Sequence, residues 1–200
     1  MPAIKKAGII VGVILILDQA FKIWIKTHFY LGQDVTVFSW FHIHFIENNG
    51  MAFGMEFGGK FGKIALSIFR ILAIIGITWY LFRLSKKKAP FGLVLSLSMI
   101  LAGALGNIID SAFYGLIFTE SSEYGIAEFT GIGDGYAPFL QGKVVDMLHF
   151  PMFHGQYPNW FPFVGGDNFE FFSPVFNLAD SSITIGVFMI IIFQRRYFRR

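Results

Sequence analysis

The 200-residue chain contains no cysteine. Disulfide staples, thiolate metal sites and thiol nucleophiles are therefore excluded from its fold and its chemistry. Charge is scarce as well: only 14% of the residues are Asp, Glu, Lys or Arg, where a soluble domain carries about a quarter. With 54% of the chain hydrophobic, that shortage points to a protein whose surface faces lipid. Acidic residues are also missing from three particular places. No Asp or Glu lies among residues 5–6, 83–88 or 195–200, where Lys and Arg cluster.

Between those clusters lie four apolar segments, at about 7–26, 64–84, 90–110 and 176–194. Each approaches the roughly 20 residues needed to cross a bilayer. Basic residues favour the cytoplasmic side of a membrane, so both termini and the "RLSKKKAP" turn are expected inside. A basic face for nucleic acid would not be split among three membrane-flanking clusters, and no nucleic-acid partner is expected. The first segment begins like a secretory signal peptide, with Lys5 and Lys6 ahead of an apolar core. Asp18 and Lys22 interrupt its end and no small-x-small cleavage site follows, so a retained helix is expected.

The composition thus predicts an all-α integral membrane protein, a single membrane-embedded domain over 1–200, with outer loops at about 27–63 and 111–175. In the first loop, Phe41, Ile43 and Phe45 alternate with His42 and His44, the period of a half-buried strand. "ENNG" then reads as a turn, which predicts a small extracytoplasmic β platform. His42 and His44 share one strand face and are read as solvent-facing.

Depth orders the polar residues. An α-helix rises about 1.5 Å per residue, so Asp18 lies roughly 18 Å and Lys22 roughly 24 Å from an inner start at Lys6. The third segment runs outward and the second and fourth inward. Asn107, Asp110, Arg70 and Asp180 then all fall near the outer membrane boundary. Asn107 and Asp110, like Asn177 and Asp180, are three residues apart and share a helix face. Asp18 and Lys22, four apart, can pair along their helix. Gly103 and Gly106 offer small surfaces for close helix packing. Hydrogen bonding between helices accounts for some of these groups, but not for several carboxylates beside only two cations. They read as a functional site.

The motifs "DQAFK" (18–22), "NNGMAFG" (48–54), "GALGNIID" (103–110), "VVDM" (144–147) and "FNLADSSITIG" (176–186) occur in the order found in signal peptidase II, and the chain resembles that family over all four spans and the first outer platform. The resemblance implies an aspartyl endopeptidase of the bacterial inner membrane, working without a metal or other cofactor. Its substrates would be prolipoproteins in the lipid bilayer, cut just before a cysteine that carries diacylglycerol. The catalytic pair would be Asp146 and Asp180, supported by Asn48, Asn107, Asp110, Asn177, Asp18 and Lys22. Two features depart from the family pattern. Ser111 stands where the family has Arg after the Asp of "IID", and Arg70 is expected to pair with a site carboxylate, Asp110 first, in its place. Thirty-five residues separate Asp110 from Asp146, where the family's link is short.

Two other readings compete. Intramembrane acids also mark ion paths, as in a small transporter or proton channel, but such sites lie near the midplane and the inner halves of these spans are apolar. A scaffold for partner proteins would not need two acids at one depth. The insertion at 115–141, with Glu120, Glu123, Glu128, Asp134 and scattered Gly, is expected to be an exposed, mobile loop overhanging the site. In the second insertion, 150–173, and at its start, His154 and His149 lack a third close acid or thiol in sequence and are read as solvated loop residues.

Overall fold

The computed structural model describes residues 3–49, 59–87, 89–151, 153–171 and 174–198. Its long apolar runs form helices: α1 (Ala3–Lys26), α2 (Gly59–Ser85) and α3 (Phe91–Ile109). At Asp110 the third helix loosens into a π-helical turn (Asp110–Tyr114), then closes with one short helical turn, α4 (Gly115–Ile117). The last helix, α5, spans Leu178–Phe198. Three helical stretches, Ala3–Lys26, Phe61–Ser85 and Phe91–Ile117, are long and apolar enough to cross a membrane; Leu178–Phe193 is a shorter apolar stretch. The fold is mostly helical, with a four-stranded antiparallel sheet and a separate two-stranded hairpin among the described residues.

The bundle is turned inside out relative to a soluble one. Ile16, Phe69 and Ile192 are exposed, whereas Asp18, Lys22, Asn107 and Asp110 are almost completely buried. A shell of lipid accounts for the first set, because apolar side chains need no burial in protein there. Polar groups in such a medium must find partners inside. Toward the end carrying the "RLSKKKAP" turn, Ala7, Leu81, Leu84, Leu93, Val94, Leu97 and Leu101 form an apolar core joining α1, α2 and α3.

The sheet forms at the other end. Its strands are β1 (Asp34–Phe38), β2 (Phe41–Asn48), β3 (Val144–His149) and, after the hairpin β4 (Phe153–Gln156) and β5 (Asn168–Phe171), β6 (Val175–Phe176). The order is β1-β2-β3-β6, and every pairing within it is antiparallel. The alternation over residues 41–45 is thus a strand, as expected, but the strand runs on through Glu47 and Asn48, where a turn was expected. Glu47 pairs with Val145 and Asn48 with Val144. The Glu47 side chain is also tied down, 2.5 Å from the buried Lys26 Nζ, so "EN" has partners that a turn would forfeit. Ile25, Phe29, Phe45, Tyr114, Phe118, Val145 and Met147 form a second core that seats the sheet on the ends of α1 and α3.

The insertion at 115–141 is open to solvent over much of its length, as its acids and glycines suggest, with Tyr124 and Ile132 exposed, but it is also anchored. Phe118, Ser121 and Ala127 are buried. Ser121 Oγ accepts from Lys26 Nζ at 2.9 Å and donates to Glu47 Oε1 at 2.9 Å. Backbone bonds tie Thr119 to Glu128, Thr130 to Ile117 and Tyr136 to Phe118. Four acids scattered along the sequence hid an apolar edge that packs inward.

Candidate active site

Close approach of α3 and α5 builds the site. A Cβ added at Gly103 would lie 2.2 Å from the Ala179 carbonyl oxygen, and one at Gly106 2.6 Å from Asp18 Oδ2 and 3.1 Å from the Ala179 Cβ. Only hydrogen fits at these positions. The resulting crossing sets Asn107 of α3 against the first turn of α5, where Asn107 Nδ2 donates to Asp180 Oδ1 at 2.7 Å.

The start of α5 is capped twice. Asn177 precedes the helix, and its Oδ1 accepts the Asp180 N–H at 2.9 Å, the usual side-chain replacement for a missing helical acceptor. Asp18 Oδ1, from α1, accepts the Ala179 N–H at 2.9 Å. Asp180 thus sits in the first turn, where the helix dipole favours a negative charge.

Asp146 arrives from the sheet. Pairing Ile46 with Asp146 sets Asn48, two residues along β2, on the same face as the acid, and Asn48 Nδ2 donates to Asp146 Oδ2. From the other side, Asn177 Nδ2 donates to Asp146 Oδ1 at 2.6 Å and to the Val145 carbonyl at 3.2 Å. The short strand β6 delivers Asn177 there, since Phe176 pairs with Leu148 immediately before the helix starts. Asn177 therefore touches both residues, the Asp146 carboxylate through its amide N–H and the Asp180 backbone N–H through its amide oxygen. Burial, and then the charge of Asp180, hold the Asp146 carboxyl well above the usual carboxylate range, against the opposing pull of Lys22 and the Asn177 hydrogen bond.

Beneath the two acids lies a polar hub. Lys22 Nζ is 3.0 Å from Asp18 Oδ2, 2.8 Å from Asp110 Oδ2 and 2.9 Å from Asn107 Oδ1. All four residues are almost completely buried. Removing one member of a buried ion pair costs about 3–5 kcal/mol, because its partner is left charged and desolvated. Asp110 Oδ2 also accepts the Val145 N–H at 3.3 Å, linking the hub to the residue before Asp146.

The structure thus brings together Asp18, Lys22, Asn48, Asn107, Asp110, Asp146, Asn177 and Asp180. Lys22 supplies a cation to Asp110. Arg70, which the sequence pairs with Asp110, is half-buried on α2. Ser111 uses its hydroxyl within its own helix, donating to the Asn107 carbonyl at 3.0 Å. Residues 50–54 of the "NNGMAFG" motif lie outside the described residues. Gln19 was not singled out from sequence, yet its Nε2 donates to Asp110 Oδ1 at 2.9 Å and Asp18 Oδ2 at 3.1 Å, while Tyr114 O–H donates to its Oε1 at 3.2 Å. Its place within "DQAFK", between the two ends of the Asp18–Lys22 pair, was the available signal.

Known proteins resemble this chain over nearly its whole length. Residues 10–195 match the family model described as Signal peptidase (SPase) II. A lipoprotein signal peptidase from Porphyromonas gingivalis is 46% identical over 193 residues, covering 96% of this chain and 84% of its own. One from Amoebophilus asiaticus is 36% identical over 187 residues, covering 90% and 74%. A solved structure titled as a bacterial membrane enzyme aligns with a TM-score of 0.63 at 26% identity, covering 98% of this chain and 93% of that one. Similarity of this extent covers nearly the whole chain, and on it the chain belongs to the signal peptidase II family.

Proposed function

We propose that Asp146 and Asp180 are the catalytic pair of this membrane aspartic endopeptidase, which removes the signal peptide from prolipoproteins. The observation carrying the assignment is the amide bridge between the acids: Asn177 donates to the Asp146 carboxylate and to Asn107 Oδ1, and Asn107 donates to the Asp180 carboxylate. Two close carboxylates cannot both ionise readily, so the pair shares a proton. Asp146 is the better holder of that proton, being buried and next to the charge of Asp180. Asp180 is half-exposed, held by Asn107 and by the helix start, and serves as the base.

In this mechanism the Asp180 carboxylate takes a proton from water as the water oxygen bonds to the scissile carbonyl carbon. Asp146 gives its proton to the carbonyl oxygen. The tetrahedral intermediate then breaks its C–N bond, with the proton held at Asp180 passing to the leaving amine and the hydroxyl proton returning to Asp146. Asn48, Asn177 and Asn107 position the acids. Asp18, Lys22 and Asp110 hold the helices beneath them, and Arg70 adds positive charge on the side of Asp180.

Placement follows from the same elements. The chain is a membrane protein, read here as lying in the bacterial inner membrane with α5 as a fourth span. At about 1.5 Å per residue, a helix of this length reaches roughly 30 Å, the thickness of the hydrocarbon core. Both termini face the cytoplasm and the sheet faces outward. A lipid-anchored substrate then meets the acids where lipid gives way to water, with its acyl chains still in the bilayer and the cut falling just before the lipidated cysteine. Purified Asp146→Asn and Asp180→Asn proteins should each insert and fold, and should lose at least about a hundred-fold in cleavage of diacylglyceryl prolipoprotein. Near-normal cleavage by either removes that residue from the pair.

A further inference from the structure

Away from the acids, the outward sheet gathers three imidazoles around one carboxylate. Strand register does this. Asp34 of β1 lies opposite His44 of β2, and His42 of β2 lies opposite His149 of β3. His42 and His44, two apart, present the same face. The cluster crosses three neighbouring strands, so His149 belongs to the sheet and finds its partners in residues more than a hundred positions earlier. Asp34 Oδ1 is 2.8 Å from His42 Nδ1, and Asp34 Oδ2 is 3.0 Å from His44 Nδ1 and 3.9 Å from His149 Nδ1. Ligand atoms of Asp34, His42 and His149 all fall within 4.8 Å of one another.

We propose that Asp34, His42 and His149 form a site for a divalent transition metal of the Zn²⁺ class on the outward sheet. Tetrahedral Zn²⁺, with bonds of about 2.0–2.1 Å, requires ligand atoms roughly 3.3 Å apart. The spacings here bracket that value, so modest side-chain rotation closes the set. Two imidazoles and one carboxylate leave a fourth position for water. The donor set suits Zn²⁺ and discriminates against Mg²⁺, a hard ion that prefers oxygen ligands in an octahedron. His44 orients the ligating carboxylate by donating to its second oxygen, as outer partners of metal ligands commonly do. Binding moves the proton of a ligating His from Nδ1 to Nε2 or to solvent, and the freed Nδ1 lone pair takes the metal. All four side chains are at least partly open to solvent, at 37% for Asp34 and 13% to 29% for the histidines, so the ion has an entry path. The metal would clamp β1, β2 and β3 together, and β2 and β3 are the strands that carry Asn48 and Asp146.

The test uses full-length protein without a polyhistidine tag, stripped with chelator and dialysed against Zn²⁺. It should bind one equivalent of Zn²⁺ that Mg²⁺ does not displace, and its unfolding midpoint should rise with Zn²⁺. Co²⁺ in its place should give the intense visible absorption of a tetrahedral site. His42→Ala and His149→Ala should each abolish uptake and the midpoint shift, and His44→Ala should weaken binding about ten- to hundred-fold. Asp180→Asn should bind Zn²⁺ like the unaltered protein. Failure of the unaltered protein to bind Zn²⁺ overturns the proposal. So does uptake that survives the His42 and His149 substitutions, or that disappears in Asp180→Asn and so belongs to the acid pair.

Discussion

At the scale of single residues, Asp146 sets the pH behaviour. A free aspartic acid loses its proton near 3.9, and burial with the Asp180 charge beside it moves Asp146 upward. Because the shift is upward, the protonated acid persists to higher pH than usual, and under the proposed mechanism its loss should mark the alkaline limb of activity. Asp180→Asn removes one of the three forces raising it, burial and the charge of Asp110 being the others, so the Asp146 carboxyl should then deprotonate at lower pH. Infrared titration of the protonated carboxyl band in the unaltered and Asp180→Asn proteins measures this directly. An unchanged or higher transition in the variant would mean that the two acids do not interact as described. The same upward shift makes stability fall as pH rises. A group that binds its proton more tightly in the native state stabilises that state at low pH and loses this contribution as pH rises through the native titration, so Asp146→Asn should improve stability at alkaline pH.

Among the secondary-structure elements, the α3–α5 crossing controls whether the acids meet. Gly103→Val would drive a side chain into the Ala179 carbonyl, which lies 2.2 Å from the position of the first added atom. Overpacking of this kind costs about 1–3 kcal/mol, and separating the helices would draw Asn107 away from Asp180. The expected result is a lower unfolding midpoint together with lost cleavage. Gly76→Ala, on α2 where an added Cβ meets nothing within 4 Å, should change neither. Normal cleavage by Gly103→Val would show that the close crossing is not needed.

Element positions and the gathering of the polar residues were largely legible in the sequence, because apolar run length and polar spacing are local signals. Asn107 and Asp180 announced themselves by depth, and Asp146 by its motif. What stayed hidden depends on partners distant along the chain. Glu47 looked like part of a turn because Lys26 and Ser121, which bind it, lie 21 and 74 residues away. Gln19 looked like filler between Asp18 and Lys22 because its role requires Asp110, 91 residues on. His149 looked like a loop residue for the same reason: no local period reveals which strand lies opposite.

For the whole molecule, orientation in the membrane is the property to test. Lys87→Cys and Tyr124→Cys both place a thiol at an exposed position, one in the basic turn and the other in the first insertion. An impermeant thiol reagent added to intact cells should label only the second. Labelling of both would overturn the proposed topology. Within that frame the long link between Asp110 and Asp146 has coincident ends, since Gly142 N–H donates to the Ser111 carbonyl at 2.9 Å and Val145 N–H reaches Asp110. Doubling the length of a flexible loop adds only about 0.6 kcal/mol to the entropy of closing it. The segment can therefore change length at its solvent-facing turns without shifting the acids, provided Phe118, Ser121 and Ala127 keep their buried places. Substitution is open to the stretches between those three anchors and closed to the anchors themselves.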